Sequence, residues 1–142
     1  MKILALDLGD RWVGSAISDG LGITCRPYET VEIENLSTFL LRVIPAQDIR
    51  TIIVGYPKTF SGGQSAQTEK IEQKALVLKQ QFACVRGKEM TWILWDERLS
   101  SKRAQTMHHA TTAEAKRKSH SIAAAFILQN YLDGLAFTKS DV

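Results

Sequence analysis

Apolar positions along this chain come in runs and at helical intervals, in an order that predicts alternating strands and helices. Residues 2–8, Lys-Ile-Leu-Ala-Leu-Asp-Leu, are almost continuously apolar, the pattern of a central strand covered on both faces. Residues 12–18 form a second such run after Gly9-Asp10-Arg11. A turn that short requires an antiparallel hairpin. A third strand over 22–33 is interrupted at Pro27, which suits a sheet edge because proline has no N–H for a central ladder. Leu36, Phe39, Leu40, Val43 and Ile44 then fall at helical spacing, with Asn35 or Ser37 placed to cap. Thr51-Ile-Ile-Val-Gly55 predicts a short buried strand that ends in Gly-Tyr-Pro57.

Lys58 to Gln64 holds Ser61-Gly62-Gly63 and predicts a mobile loop. Helical spacing returns over 65–82. Thr91-Trp-Ile-Leu-Trp95 predicts a strand ending on Asp96-Glu97-Arg98. Ser100 or Ser101 can cap a helix that starts with Lys102, Arg103 and Ala104. Thr111-Thr112-Ala113-Glu114 has the capping-box pattern. A last helix over 113–133 carries Ala124, Ile127, Leu128 and Tyr131 on one face, and the tail after Gly134 is expected to fray. The crossovers after the third strand make the later strands parallel to the first. The expected fold is α/β: a central mixed five-stranded sheet with helices on both faces.

In such sheets functional groups gather beyond the carboxyl ends of the parallel strands. Asp7, Gly55-Tyr56-Pro57 and Asp96-Glu97 all end strands and come from distant parts of the sequence. A carboxylate at the end of a core strand is costly unless a cation or basic partner offsets it. Two carboxylates brought together repel each other unless a metal or proton intervenes. Hard oxygen ligands suit Mg²⁺ or Mn²⁺, which keep waters and accept phosphate oxygens, the requirement of phosphodiester hydrolysis. The plain alternatives are a turn aspartate for Asp7 and an exposed strand end with a local ion pair for Asp96-Glu97-Arg98.

Composition sets the frame for that chemistry. The 142 residues fit one domain, 1–142, and their 44% hydrophobic and 23% charged content is ordinary for a globular protein. The net charge of +3 permits a polyanionic partner without demanding one. Arg98, Lys102 and Arg103 form one basic group and Lys116, Arg117 and Lys118 a second. With Arg11 they can hold phosphates, or the two groups can be solvated helix faces. Cys25 and Cys84 lack ligand spacing and read as reduced thiols, not a disulfide or a zinc site. No apolar run is long enough to span a bilayer, so no membrane partner is expected, and the first residues have no signal-peptide pattern.

Taken together in order, these residues resemble the YqgF (RuvX) family of Holliday-junction-resolvase-like proteins and proposed pre-16S rRNA nucleases. Asp7-Leu-Gly9, Arg11, Gly14 and Ser18-Asp19 match its N-terminal hairpin. Val54-Gly55-Tyr56-Pro57 with Gly62-Gly63 is similar to its Gly-Leu-Pro segment, and Asp96-Glu97-Arg98-Leu99 to its Asp-Glu-Arg-Leu signature. Ile122 to Leu132 resembles its last helix. The resemblance implies a ribonuclease H-like fold, a cytoplasmic location, a role in maturing the 5′ end of pre-16S rRNA, and precursor ribosomal RNA or branched DNA as partner, with ribosomal particles as a further one. Asp7 and Glu97 would then be metal ligands, with Asp96 a ligand or a neighbour of one, in a catalytic group completed from the last helix. Two positions depart from the family pattern. Trp12 stands where a basic residue is common, and His120 where an Asp is usual.

Three functions compete on this sequence. The first is a metal-dependent nuclease using Asp7, Asp96, Glu97 and His120, where a neutral imidazole can ligate Mn²⁺ or act as general base. The second is a non-catalytic nucleic-acid-binding protein of the same fold, impaired by His120. The third is ATP binding of the actin-like kind, which needs two lobes where this length allows one. Oligomeric state is open at this level.

Overall fold

The continuous apolar runs form the strands at the centre of the molecule. The computed structural model describes residues 1–9, 11–56, 66–96 and 113–140; at 56, 66–68, 96, 113–117 and 136–140 it describes the backbone. β1 (Lys2–Leu8), β2 (Trp12–Ser18), β3 (Cys25–Glu32), β4 (Ile49–Tyr56) and β7 (Thr91–Asp96) make one five-stranded sheet in the order β3-β2-β1-β4-β7. β1 pairs antiparallel with β2 and parallel with β4, and β4 pairs parallel with β7. The sheet is therefore mixed, as the strand order predicts. α1 (Leu36–Ala46) follows a short 3-10 turn, α2 (Ala66–Gln81) follows β4, and α3 (Ala113–Ser140) closes the described chain.

The two faces of the sheet are built differently. Leu4, Leu6, Leu8, Val13, Ile17, Ile52 and Val54 face α1 and α2 and share a core with Phe39, Leu40, Val43, Ile71 and Leu78. Ala5, Ala16 and Ile53 face α3 and pack on Ala124, Ile127, Leu128 and Leu132. Two helices cover one face, and one helix lies on the other, where β1 and β2 present the small side chains of Ala5 and Ala16. Trp92 and Trp95, three positions apart on β7, go to opposite faces and are half-buried. Trp92 donates from Nε1 to the Phe82 carbonyl at 3.2 Å, and Trp95 meets Tyr131 edge-on at 5.2 Å. Both serve packing.

The expectations differ from the structure at several ends. β3 begins at Cys25, because Asp19 to Thr24 form a turn. In it the Asp19 carboxylate accepts the Ile23 N–H at 2.9 Å and the Thr24 hydroxyl at 3.1 Å, and these bonds lower its pKa. Neither Asn35 nor Ser37 makes the expected cap: Asn35 occupies the N-cap of α1 without a side-chain bond, and Ser37 is inside the helix. β4 starts two residues early, where Ile49 pairs with Lys2. A small hairpin of β5 (Cys84–Val85) and β6 (Lys88–Glu89) lies between α2 and β7; its two-residue strands are too short to show a period. The tail expected to fray after Gly134 is helical to Ser140. The 58–64 loop, the helix from Lys102 and Thr111-Thr112 of the capping box lie outside the described residues.

Both cysteines are free. Burial raises the Cys25 pKa to about 11 from 9.0, and its thiol lies 3.2 Å from the Ala125 carbonyl, while Cys84 is exposed. At pH 8 the shift alone leaves Cys25 with about a hundredfold less thiolate than an ordinary cysteine. Iodoacetamide followed by peptide mass spectrometry should therefore label Cys84 in the native protein, and Cys25 only after denaturation.

Candidate active site

Asp7 reaches the sheet end because β1 runs apolar up to it and turns at Gly9. The register carries three strand ends to one level: Asp7 aligns with Gly55, Gly55 with Trp95, and Tyr56 with Asp96. Alternation puts Asp7 on the face of Ala5, the face that α3 covers. The second group arrives from α3. His120 Nδ1 lies 3.8 Å from Asp7 Oδ2, with the side chains 33% and 19% exposed. They are open to solvent on one side and backed by the core on the other.

Two glycines make this approach possible. A Cβ at Gly14 would overlap the His120 carbonyl group outright and lie 2.6 Å from the Ser121 nitrogen. The backbone of α3 thus rests directly on β2 at the residue paired with Asp7. A Cβ at Gly9 would stand 2.7 Å from the Trp12 carbonyl oxygen and 3.8 Å from His120 Cε1. Ser121 is buried, and its hydroxyl donates to the Lys118 carbonyl at 3.0 Å. In the sequence Gly14 stands as one residue of the hairpin motif. The signal was present in the small residues Gly14 and Ala16 alternating with large Val13 and Ile17, which mark the face a helix can approach closely.

The other expected site residues are placed as follows. Arg11 is exposed beside the turn, its guanidinium 5.4 Å from the Trp12 ring centroid. Asp96 ends β7, where only its backbone is described. Glu97, Arg98, Lys102 and Arg103 lie outside the described residues. Lys116 and Arg117 fall on the first turns of α3 as backbone, and Lys118 is exposed two residues before His120. The turn residue Asp19, grouped with Asp7 by motif, lies at the opposite end of the sheet and organises the β2–β3 turn.

Among the described residues no three His, Cys, Asp or Glu side chains gather as a metal cluster. The pair that is described still suits a divalent ion. Two donors each about 2.1 Å from one ion can be no more than about 4.2 Å apart, which the Asp7–His120 separation satisfies. A carboxylate with an imidazole is a donor set of intermediate softness, better matched to Mn²⁺ than to Mg²⁺.

A family model described as RuvX, Holliday junction resolvase, matches residues 1–134. The chain belongs to the RuvX family. It is 38% identical over 141 residues to a protein of Desulfitobacterium hafniense named "Putative pre-16S rRNA nuclease", covering 94% of this chain and 92% of that relative. Like-named relatives include those of Geobacillus kaustophilus and Clostridium tetani, each 36% identical, covering 94% and 95% of this chain and 98% of their own length. Among solved structures, Thermus thermophilus RuvC in complex with a Holliday junction matches with a TM-score of 0.58 at 16% identity, over 96% of each chain. Fowlpox virus resolvase with its junction DNA gives 0.56 at 14%, over 95% of this chain and 99% of that one. The RuvX chain has the ribonuclease H-like fold of those resolvases. No helix among its described residues is long and apolar enough to cross a membrane.

Proposed function

We propose that this RuvX-family protein is a divalent-metal-dependent nuclease, acting in the cytoplasm on the 5′ region of precursor 16S ribosomal RNA. The observation that carries the reading is the closeness of the Asp7 carboxylate and the His120 ring at the carboxyl end of a ribonuclease H-like sheet. The names of the relatives supply the RNA. Asp7 and His120, joined by Glu97, would hold the ion, which when bound polarises a phosphate oxygen and activates water. Asp7 would supply the carboxylate oxygen donor at the strand end. His120, fixed by the contact of α3 with β2, presents Nδ1 toward Asp7 and completes the donor set. Arg11, exposed beside the hairpin turn, would supply positive charge for a flanking phosphate.

The test uses purified protein, a 5′-extended pre-16S rRNA fragment, and a four-way DNA junction. Cleavage of the RNA is expected, faster with Mn²⁺ than with Mg²⁺ and absent in EDTA. Because the imidazole suits Mg²⁺ less well than a carboxylate, His120→Asp should raise the Mg²⁺-supported rate about tenfold, the scale of a single ligand-shell change. His120→Ala should lower the Mn²⁺-supported rate. Cleavage of the junction alone would replace RNA by branched DNA as substrate. Tight binding of both nucleic acids without cleavage of either would identify a binding protein and overturn the nuclease reading.

A further inference from the structure

Trp12 opens β2 on the same face as the candidate site. Along this strand Val13 and Ile17 belong to the core under α1 and α2, whereas Gly14 lies under His120 and Ala16 under α3. Trp12 shares the parity of Gly14 and Ala16, so alternation directs it to the α3 face. Gly14 is the cross-strand partner of Asp7, and Trp12 is two residues further along. A diagonal neighbour of that kind lies about 7 Å away, within reach of an indole. The Trp12 carbonyl accepts the Gly9 N–H at 2.9 Å, which ties it to the turn that borders His120. Its ring is half-buried, and the exposed Arg11 guanidinium stands 5.4 Å from the ring centroid. One rim of the site thus carries a carboxylate, an imidazole, an indole and a guanidinium.

The Arg11 guanidinium lies over the indole ring; a base can take its place on that π surface, and the guanidinium so released offers paired donors for a phosphate. Bases in a closed duplex are stacked on one another and have no face to give. An unpaired nucleotide has both a free face and an accessible phosphate.

We propose that Trp12 is a stacking platform for an unpaired base beside the scissile phosphate, with Arg11 on the adjoining phosphate. The site then selects single-stranded or frayed RNA over closed duplex. The position of the scissile bond rests on the nuclease reading above; the preference in binding does not.

Binding is measured by fluorescence anisotropy in EDTA, where nothing is cut, using one short labelled RNA alone and annealed to its complement. The parent should favour the single strand. Trp12→Ala should weaken single-strand binding about tenfold, the loss expected for one stacked base, and change duplex binding less than about twofold. Trp12→Phe should retain most of the preference. Trp12→Lys exchanges the π face for a point charge, so it should lose the preference and add about one phosphate contact to the salt dependence. Circular dichroism checks that each variant is folded; should Trp12→Ala unfold, the Phe and Lys variants carry the comparison. Equal losses on both RNA forms, no loss at all, or a preference that persists in Trp12→Lys would overturn the proposal. These outcomes are separate from catalysis. A protein that binds in this pattern but never cuts defeats the nuclease reading alone, and one that cuts without the pattern defeats Trp12 alone.

Discussion

Replacing Asp7 with asparagine is expected to reduce metal-supported cleavage by about 10³-fold or more while the protein stays folded and still binds RNA. The side chain keeps its size and loses its charge, so the β1–β2 hairpin and the packing of Ala5 and Leu6 are unaffected. What disappears is the only described carboxylate on the α3 face of the sheet that lies beside His120. Its loss removes an anionic ligand and leaves an imidazole, which holds a hard cation poorly. Cleavage assays in Mn²⁺ and Mg²⁺, paired with anisotropy on the uncut RNA, separate the two effects. Cleavage that survives the substitution would place the chemistry elsewhere on the molecule.

Gly14→Ala is expected to have the second-largest effect, although residue 14 contributes no functional group. The added methyl would fall inside the His120 carbonyl, a backbone atom that no rotamer change can move aside. To regain ordinary contact α3 must lift from β2 by about 1 Å, which separates His120 from Asp7. Such overpacking costs about 1–3 kcal/mol of stability, and a displacement of that size within a catalytic group can cost about 10²-fold in rate. Urea unfolding and the Mn²⁺-supported rate measure the two consequences. Gly20→Ala is the control: a Cβ there meets nothing within 4 Å, so both measurements should match the parent. A fully active, fully stable Gly14→Ala protein would show that α3 is not seated by this contact.

The sequence by itself determined the order of strands and helices along the chain, the hairpin, the parallel crossovers and the strand-end position of Asp7. These rest on short-range information: continuous apolar runs, helical spacing, and turn residues that leave few local choices. It also directed attention to position 120, because that histidine stands in an otherwise well-matched helix. Only the tertiary structure decided which groups meet. Asp19 and Asp7 look alike in the opening motif, but one strand reversal sends them to opposite ends of the sheet, one to hold a turn and the other to the site. Gly14 is a hairpin glycine in one dimension and the seat of α3 in three. The small hairpin at 84–89 and the helical tail beyond Gly134 escaped for the same reason. The hairpin strands are too short to carry a period. Gly134 reads as a helix stop, yet within α3 it lies 3.9 Å, measured from its would-be Cβ, from the Trp95 ring. Periodicity reports what one segment presents to its surroundings; which surroundings it receives is fixed by packing between segments far apart in the chain.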